Sequence, residues 1–218
     1  MPRTFLYKSV LLSLSALCVS CGGVTQTSNE AQPMTQKQRW YWLGSTSYAG
    51  HNRPGKPENY WLEIDGERAQ LQADCNSANA KAATTHEGRL WITNIASTKT
   101  GCGTGSLGTT FIKQLGQTLI TEQRGQVLRI PLSQYGDAMF FALEPTARFA
   151  SYRCDGGESM AVIALARNTH IWLGDQYSQA AGDNYAPPKG DDTREALSHN
   201  DSIDASPANC RKLTAPGN

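Results

Sequence analysis

Neither charge sign dominates this chain. Twenty Lys and Arg stand against nineteen Asp and Glu in 218 residues, a formal net charge of +1. No basic cluster interleaves with aromatics, which argues against a nucleic-acid partner, because such a partner needs a basic stripe or patch. No apolar run is long enough to span a bilayer as a stable helix, since the run that follows Lys8 ends at Val19. Between Trp40 and Leu143 there are no paired carboxylates, no nucleophile elbow and no phosphate loop. Cys75, Cys102, Cys154 and Cys210 contain no C-x-x-C pair, and no His sits at ligand spacing from them, which sets a zinc site aside. Asp183, Asp191, Asp192 and Glu195 lack the alternating acidic spacing of a calcium loop. They read instead as a solvated loop face. Catalytic residues, metal ligands and cofactors are therefore all expected to be none.

What is present begins at the first residue. In "MPRTFLYKSVLLSLSALCVSCGG", Arg3 and Lys8 flank a short apolar core that gives way to small residues. This is the layout of a secretory signal over residues 1–20. Cys18-Val19-Ser20-Cys21-Gly22 resembles a bacterial lipobox. Val19 and Ser20 fit it, while Cys18 replaces the usual Leu-like residue. The resemblance implies that Cys21 carries lipid, with simple cleavage near Ser20 as the alternative. In such lipoproteins an Asp after the Cys favours the inner membrane. Gly22 at that place implies a lipid-anchored protein of the outer membrane that faces the periplasm. Residues 21–39, rich in Thr, Ser, Gln and Asn, read as a tether.

The four remaining cysteines are an even number in an exported chain and read as two disulfides, for which three pairings are possible. Nearest-neighbour pairing would place one bridge in each half. Cys75-Asn76 with His86 could form a thiol–imidazole pair, but an exported Cys with a second Cys available is more simply bridged, and Asn76 suits a turn.

Residues 40–145 read as short strands. In "NYWLEID", Tyr60, Leu62 and Ile64 share one face and Glu63 and Asp65 the other. "RAQLQAD" alternates with Ala69, Leu71 and Ala73 inward, and "GRLWITNI" alternates again. Leu107, Phe111, Leu115 and Leu119 fall at helical spacing, with Ser106 as the expected N-cap. "QVLRIPL", a turn at Tyr135-Gly136-Asp137 and "AMFFAL" read as a hairpin. Trp61 and Trp91 could line a ligand groove, although aromatics in half-buried strands more often pack the sheet. Trp42-Leu43, "LQADCNSANAKAAT", "LWITNIASTKTGC" and "VLRIPLSQYGDAMFFAL" together resemble the META domain of HslJ-like lipoproteins. That resemblance implies a small, mainly antiparallel β domain with one helix and no settled molecular activity.

Glu144-Pro145-Thr146 marks a boundary, and residues 148–213 read as a second domain. A strand runs into Cys154, Asp155-Gly156-Gly157 is a turn, and "MAVIAL" and "THIWLG" are further strands. Tyr152-Arg153-Cys154-Asp155 and the closing Cys210 resemble the MliC family of C-type lysozyme inhibitors, which implies a small antiparallel β-barrel. With nearest-neighbour spacing, the two resemblances imply the bridges Cys75–Cys102 and Cys154–Cys210. In "AAGDNYAPPKGDD", Ala181-Gly182-Asp183-Asn184-Tyr185 lies where the family has S-G-x-R/K-Y. Gly182 and Tyr185 match it, Ala181 replaces the Ser, and Asn184 replaces the cation. Lys189 or Arg194 could supply the missing charge. The resemblance implies partner contacts through Gly182, Asp183, Asn184, Tyr185, Lys189 and Arg194.

The fold class expected is mainly β, a META-like antiparallel domain with one helix followed by an MliC-like barrel. The function expected is non-catalytic binding in the cell envelope, with C-type lysozyme as partner and the membrane reached through the lipid anchor. The alternative is a structural or stress-related envelope lipoprotein with a degenerate inhibitor loop. Cys21→Ser should release the protein from the membrane fraction into the soluble periplasm. Identical fractionation of wild type and variant would exclude the anchor.

Overall fold

A computed structural model describes residues 37–47, 50–85, 89–117, 121–133, 137–174, 176–181 and 209–213. It bears out a mainly antiparallel β fold. β1 (Gln38–Ser47) turns back through the short β2 (Gly50–Asn52), and a 3-10 turn over Pro57–Asn59 leads into β3 (Tyr60–Asp65). β4 (Arg68–Ala73), β5 (Asn76–Thr84) and β6 (Leu90–Ser97) extend the meander. α1 (Gly108–Leu115) follows, and then β7 (Glu122–Arg124), β8 (Val127–Pro131) and β9 (Ala138–Ala142) return to pair beside β1. The resulting nine-stranded sheet has the order β6-β5-β4-β3-β1-β9-β8-β7, with β2 on β1, and it curls into a half-barrel. A second sheet holds β10 (Arg148–Cys154), β11 (Ser159–Ala164), β12 (Asn168–Leu173), β13 (Gln176–Ala181) and β14 (Cys210–Lys212), in the order β13-β12-β11-β10-β14.

Alternation decides which side chains fill the half-barrel. Tyr60, Leu62, Ile64, Ala69, Leu71, Ala73, Leu90 and Ile92 all point inward and are buried, as the sequence pattern requires. α1 plugs the hollow. Phe111 and Leu115, one helical turn apart, are fully buried. The Phe111 ring lies 5.2 Å from Trp42, 6.0 Å from Tyr60 and 6.2 Å from Phe141, centroid to centroid. Removing a ring from such a site costs about 3–5 kcal/mol.

Two local expectations need correcting. The N-cap of α1 is Leu107, not Ser106, and it makes no side-chain cap bond. Ser106 still accepts the Gly108 N–H through its Oγ, one position earlier than a capping residue would, and the Tyr60 hydroxyl accepts the Leu107 N–H. The helix begins late because Gly108 packs against β4, where a Cβ would meet the Ala73 carbonyl oxygen at 2.8 Å. Glu63, placed on the outer face by alternation, is only 8% exposed. It is covered by Lys37 and Arg39, whose ion pairs to it measure 3.3 and 3.2 Å. Leu119, Tyr135 and Gly136 lie outside the described residues.

β9 reads as a continuous apolar run, and β8 does so apart from Arg129, because both of their faces are covered. Leu128, Ile130, Met139 and Phe141 face the α1 side. Val127, Ala138, Phe140 and Ala142 face the second sheet, where they meet Phe149, Ala161, Ile163, Leu165 and Trp172. A turn at Pro145-Thr146, closed by the Ala147 N–H donating to the Glu144 carbonyl, is all that separates the two sheets along the chain. Polar ties flank this apolar layer. Arg129, 2% exposed, donates to Glu122 Oε1 at 2.7 Å and to the Gly174 carbonyl at 3.1 Å. Arg153 donates to the Ser47 carbonyl at 2.6 Å.

The sheets pack tightly at Gly44. A β-bulge between Trp42 and Gly44 lets Leu43 and Gly44 both face the second sheet, while Trp42 stays in the half-barrel core. A Cβ on Gly44 would lie 2.5 Å from Phe149 Cε1 and 2.7 Å from the Asn52 carbonyl oxygen. Gly44→Ala should therefore destabilise by about 1–3 kcal/mol, the usual range for overpacking. Urea unfolding measures it, and Phe149→Leu should recover part of the loss in the double variant. Wild-type stability in Gly44→Ala would rule out this contact between the sheets.

Candidate functional site

Both disulfides form as paired in the sequence reading, Cys75 with Cys102 and Cys154 with Cys210. In the chain-entropy picture, loops of these lengths contribute roughly 3.5 and 4 kcal/mol. Cys75 thus has no thiol to offer His86, which itself lies outside the described residues. Asn76 has a structural task beside the first bridge. Its Oδ1 accepts from the Thr100 N–H at 2.7 Å and from the Thr98 hydroxyl at 3.0 Å, and its Nδ2 donates to the Thr100 carbonyl at 3.0 Å. One amide side chain thereby pins the loop that carries Cys102. Asp74, just before, takes a positive φ of 61° in the two-residue turn between β4 and β5, a conformation that Asp tolerates better than most residues.

Trp61 and Trp91 do not share a groove. β4 and β5 lie between their strands. The Arg39 guanidinium covers the Trp61 ring at 4.0 Å, while Trp91 stands 39% exposed opposite Ala83. Cys21, Gly182, Asp183, Asn184, Tyr185, Lys189 and Arg194 lie outside the described residues. What is described is the frame at either end of the segment that holds the last six. β13 ends at Ala181 on one edge of the second sheet, and β14 starts at Cys210 on the other. Cys210 sits directly opposite Cys154 in the ladder and is bonded to it.

A polar cluster absent from the sequence reading lies on the β12–β13 hairpin. Asn168, His170 and Trp172 alternate onto the face turned toward the first sheet, and β13 adds Tyr177 and Gln179. His170 is 1% exposed. Its Nδ1 is 3.0 Å from the Tyr177 hydroxyl and its Nε2 is 3.1 Å from Asn168 Oδ1. The Tyr177 hydroxyl is also 3.1 Å from Gln179 Oε1. Arg124 lies over the Tyr177 ring at 5.1 Å, and the His170 ring stacks on Trp172.

Counting hydrogens shows what this network can do. As placed, Asn168 Oδ1 asks for a proton on Nε2, and a Tyr177 hydroxyl that donates to Gln179 asks for one on Nδ1. That is the cationic ring. The neutral ring is served equally well when the Gln179 amide is turned over, so that its NH2 donates to Tyr177 and Tyr177 donates to Nδ1. Burial decides between the two, pushing the His170 pKa down to about 4. His51 is also held below its usual value, by burial first and then by Arg53. An alternating His in "NTHIWLG" is visible as a pattern, but its burial depends on Tyr177 across the hairpin and on Trp172, which packs against the first sheet. Among the described residues no three His, Cys, Asp or Glu side chains converge as a metal site would require.

The sign of the pH effect follows from the lowered value. Unfolded His170 takes its proton near 6.5, whereas the folded residue does so only near 4. Between those values the unfolded state binds more protons, so stability is lost as pH falls through this window, by on the order of 3 kcal/mol. His51 contributes in the same direction. Melting curves of wild type and His170→Gln between pH 7 and 4 test this. The variant should lose less stability on acidification, and parallel profiles would mean that His170 is not buried in its neutral form.

Comparison with curated proteins finds no match. Two solved structures are similar in part. One is the NMR structure of a protein from Burkholderia xenovorans, 17% identical, covering 50% of this chain and 83% of its own, with a TM-score of 0.42. The other is the crystal structure of a DUF4847 family protein from Bacteroides vulgatus, 11% identical, covering 51% of this chain and 96% of its own, with a TM-score of 0.37. The model of the META domain matches residues 33–145, which take in the whole nine-stranded sheet, the helix inside it and the Cys75–Cys102 bridge. Since that match spans more than half of the sequence, the chain belongs to the META domain family.

Proposed function

We propose that this META protein is an envelope lipoprotein that binds a protein partner without catalysis, and that the partner is a C-type lysozyme met by the segment from Gly182 to Arg194. The observation that carries the reading is the Cys154–Cys210 bridge. It joins β14 to β10 and returns the chain to the sheet that it leaves at Ala181. A segment tied at both ends to one sheet has less freedom to lose on binding, which favours affinity. Charge supports the same partner. From Ser151 onward there are six Lys and Arg against nine Asp and Glu, and C-type lysozymes are generally basic, so encounter is steered. The lysozyme cleft holds two carboxylates, which a cation and a hydrogen-bond donor can occupy. Lys189 or Arg194 supplies the cation, and Asn184 and Tyr185 supply donors.

One observation favours the structural alternative. The second sheet buries Phe149, Ala161, Ile163 and Trp172 against the META sheet, so it also serves that sheet as a cover. The inhibition constant against a C-type lysozyme separates the two. Under the inhibitor reading Lys189→Ala or Arg194→Ala weakens inhibition more than tenfold, since the loss of a buried cation leaves a desolvated carboxylate and costs on the order of 2–5 kcal/mol. Ala181→Ser with Asn184→Arg strengthens it. No inhibition by wild type together with inhibition by the double variant means a retained scaffold whose loop chemistry has been lost. No inhibition by either removes lysozyme and leaves the structural role.

A further inference from the structure

A cleft of about 290 Å³ opens beside Gly44, where the two sheets meet. Its walls come from both. Leu43, Pro54, Pro57, Ala147 and Phe149 supply its apolar lining. Gly55 stands on the rim, where a Cβ would meet no atom within 4 Å. In size the cleft matches about ten water-sized groups.

A single charged side chain lines it, that of Arg53. Arg53 is exposed, and among the described residues it has neither a carboxylate nor a hydrogen-bond partner. The segment Arg53-Pro54-Gly55-Lys56-Pro57 carries two cations and no acid. The field there is positive enough that Arg53 disfavours a proton on the nearby buried His51. Two prolines fix the backbone of this wall, so little of its freedom remains to be lost when a ligand enters.

We infer that this cleft is a binding site for a small anionic amphiphile, a monoanionic head held by Arg53 with a short apolar chain laid on Leu43 and Phe149. The guanidinium fork suits a carboxylate or phosphate head with two parallel hydrogen bonds. The apolar walls remove the chain from water, which supplies the non-directional part of the affinity. Because Leu43 belongs to the META sheet and Phe149 to the second sheet, an occupant bridges both and stabilises their contact, by mass action on the folded state. This site is independent of the lysozyme reading, which rests on the segment between Ala181 and Cys210.

Octanoate is a suitable probe, with octanol as the neutral chain and acetate as the head without a chain. Titrations of the purified, oxidised protein by calorimetry and by amide NMR shifts give affinity and location. Saturable one-to-one octanoate binding is expected, with shifts centred on Gly55 and Ala147, and with octanol and acetate at least tenfold weaker. Arg53→Gln should weaken octanoate at least fivefold. Gly55→Leu, which fills the cleft from its rim without entering a core, should abolish binding while leaving the melting temperature unchanged. The absence of saturable octanoate binding to wild type, or equal binding to wild type and both variants, would overturn the proposal.

Discussion

The aromatic layer between the two sheets is the constraint on which the remainder of this molecule depends. Phe140 of the META sheet stands 5.6 Å from Phe149 and 5.5 Å from Trp172 of the second sheet, measured between ring centroids. For those rings to meet, β1 must present no side chain at Gly44, which its bulge brings to the same face as Leu43 while Trp42 stays in the half-barrel. β9 must also be apolar on both faces, and so must β8 except at Arg129, whose charge is partnered. The META sheet is therefore the middle of three layers, with α1 on one side and the second sheet on the other. Large aromatic payloads on both sides of one hairpin make that hairpin the most deeply committed part of the chain.

Polar groups are arranged around this layer according to what burial demands of them. Arg129 is buried with a carboxylate and a carbonyl as partners, which leaves less of its charge uncompensated in a dry layer. Arg153 reaches from the second sheet to the end of β1. His170 has a partner on each ring nitrogen and stays neutral because the space around it excludes water. The two disulfides act at a distance from the layer. One pins a loop of the META sheet and the other fastens β14 to the edge of the second sheet. What the layer cannot do is carry function, since its side chains are occupied with each other. Two features lie at its margins: the cleft beside Gly44, and the strand ends Ala181 and Cys210 at which the chain leaves the second sheet and returns to it.

Much of the fold could be read along the chain because its signals are local. Period-two alternation in "NYWLEID" and "RAQLQAD" gives inward faces that are buried in the structure, and helical spacing gives Phe111 and Leu115. Four cysteines at these spacings, taken with the family patterns, give the pairing that forms. The start of α1 was misplaced because Ser106 is the better capping residue by type, whereas the register is decided by Gly108 against Ala73, 35 residues earlier in the sequence. The burial of Glu63 was missed for a like reason, since Lys37 and Arg39 cover it from a neighbouring strand.

Sequence alone determined most of the strands, the helix and, through motifs that resemble known families, the META family of residues 33–145 and the cysteine pairs, because alternation, turn residues and motif spacing are properties of short stretches. Tertiary structure alone decided that the two sheets share a core, that they pack tightly at Gly44, that His170 is neutral, and that Arg53 has no partner among the described residues beside an apolar cleft. Each of these depends on which residues from distant strands become neighbours. The energies involved, overpacking, desolvation and charge left without a partner, exist only once water has been excluded from between the neighbouring surfaces.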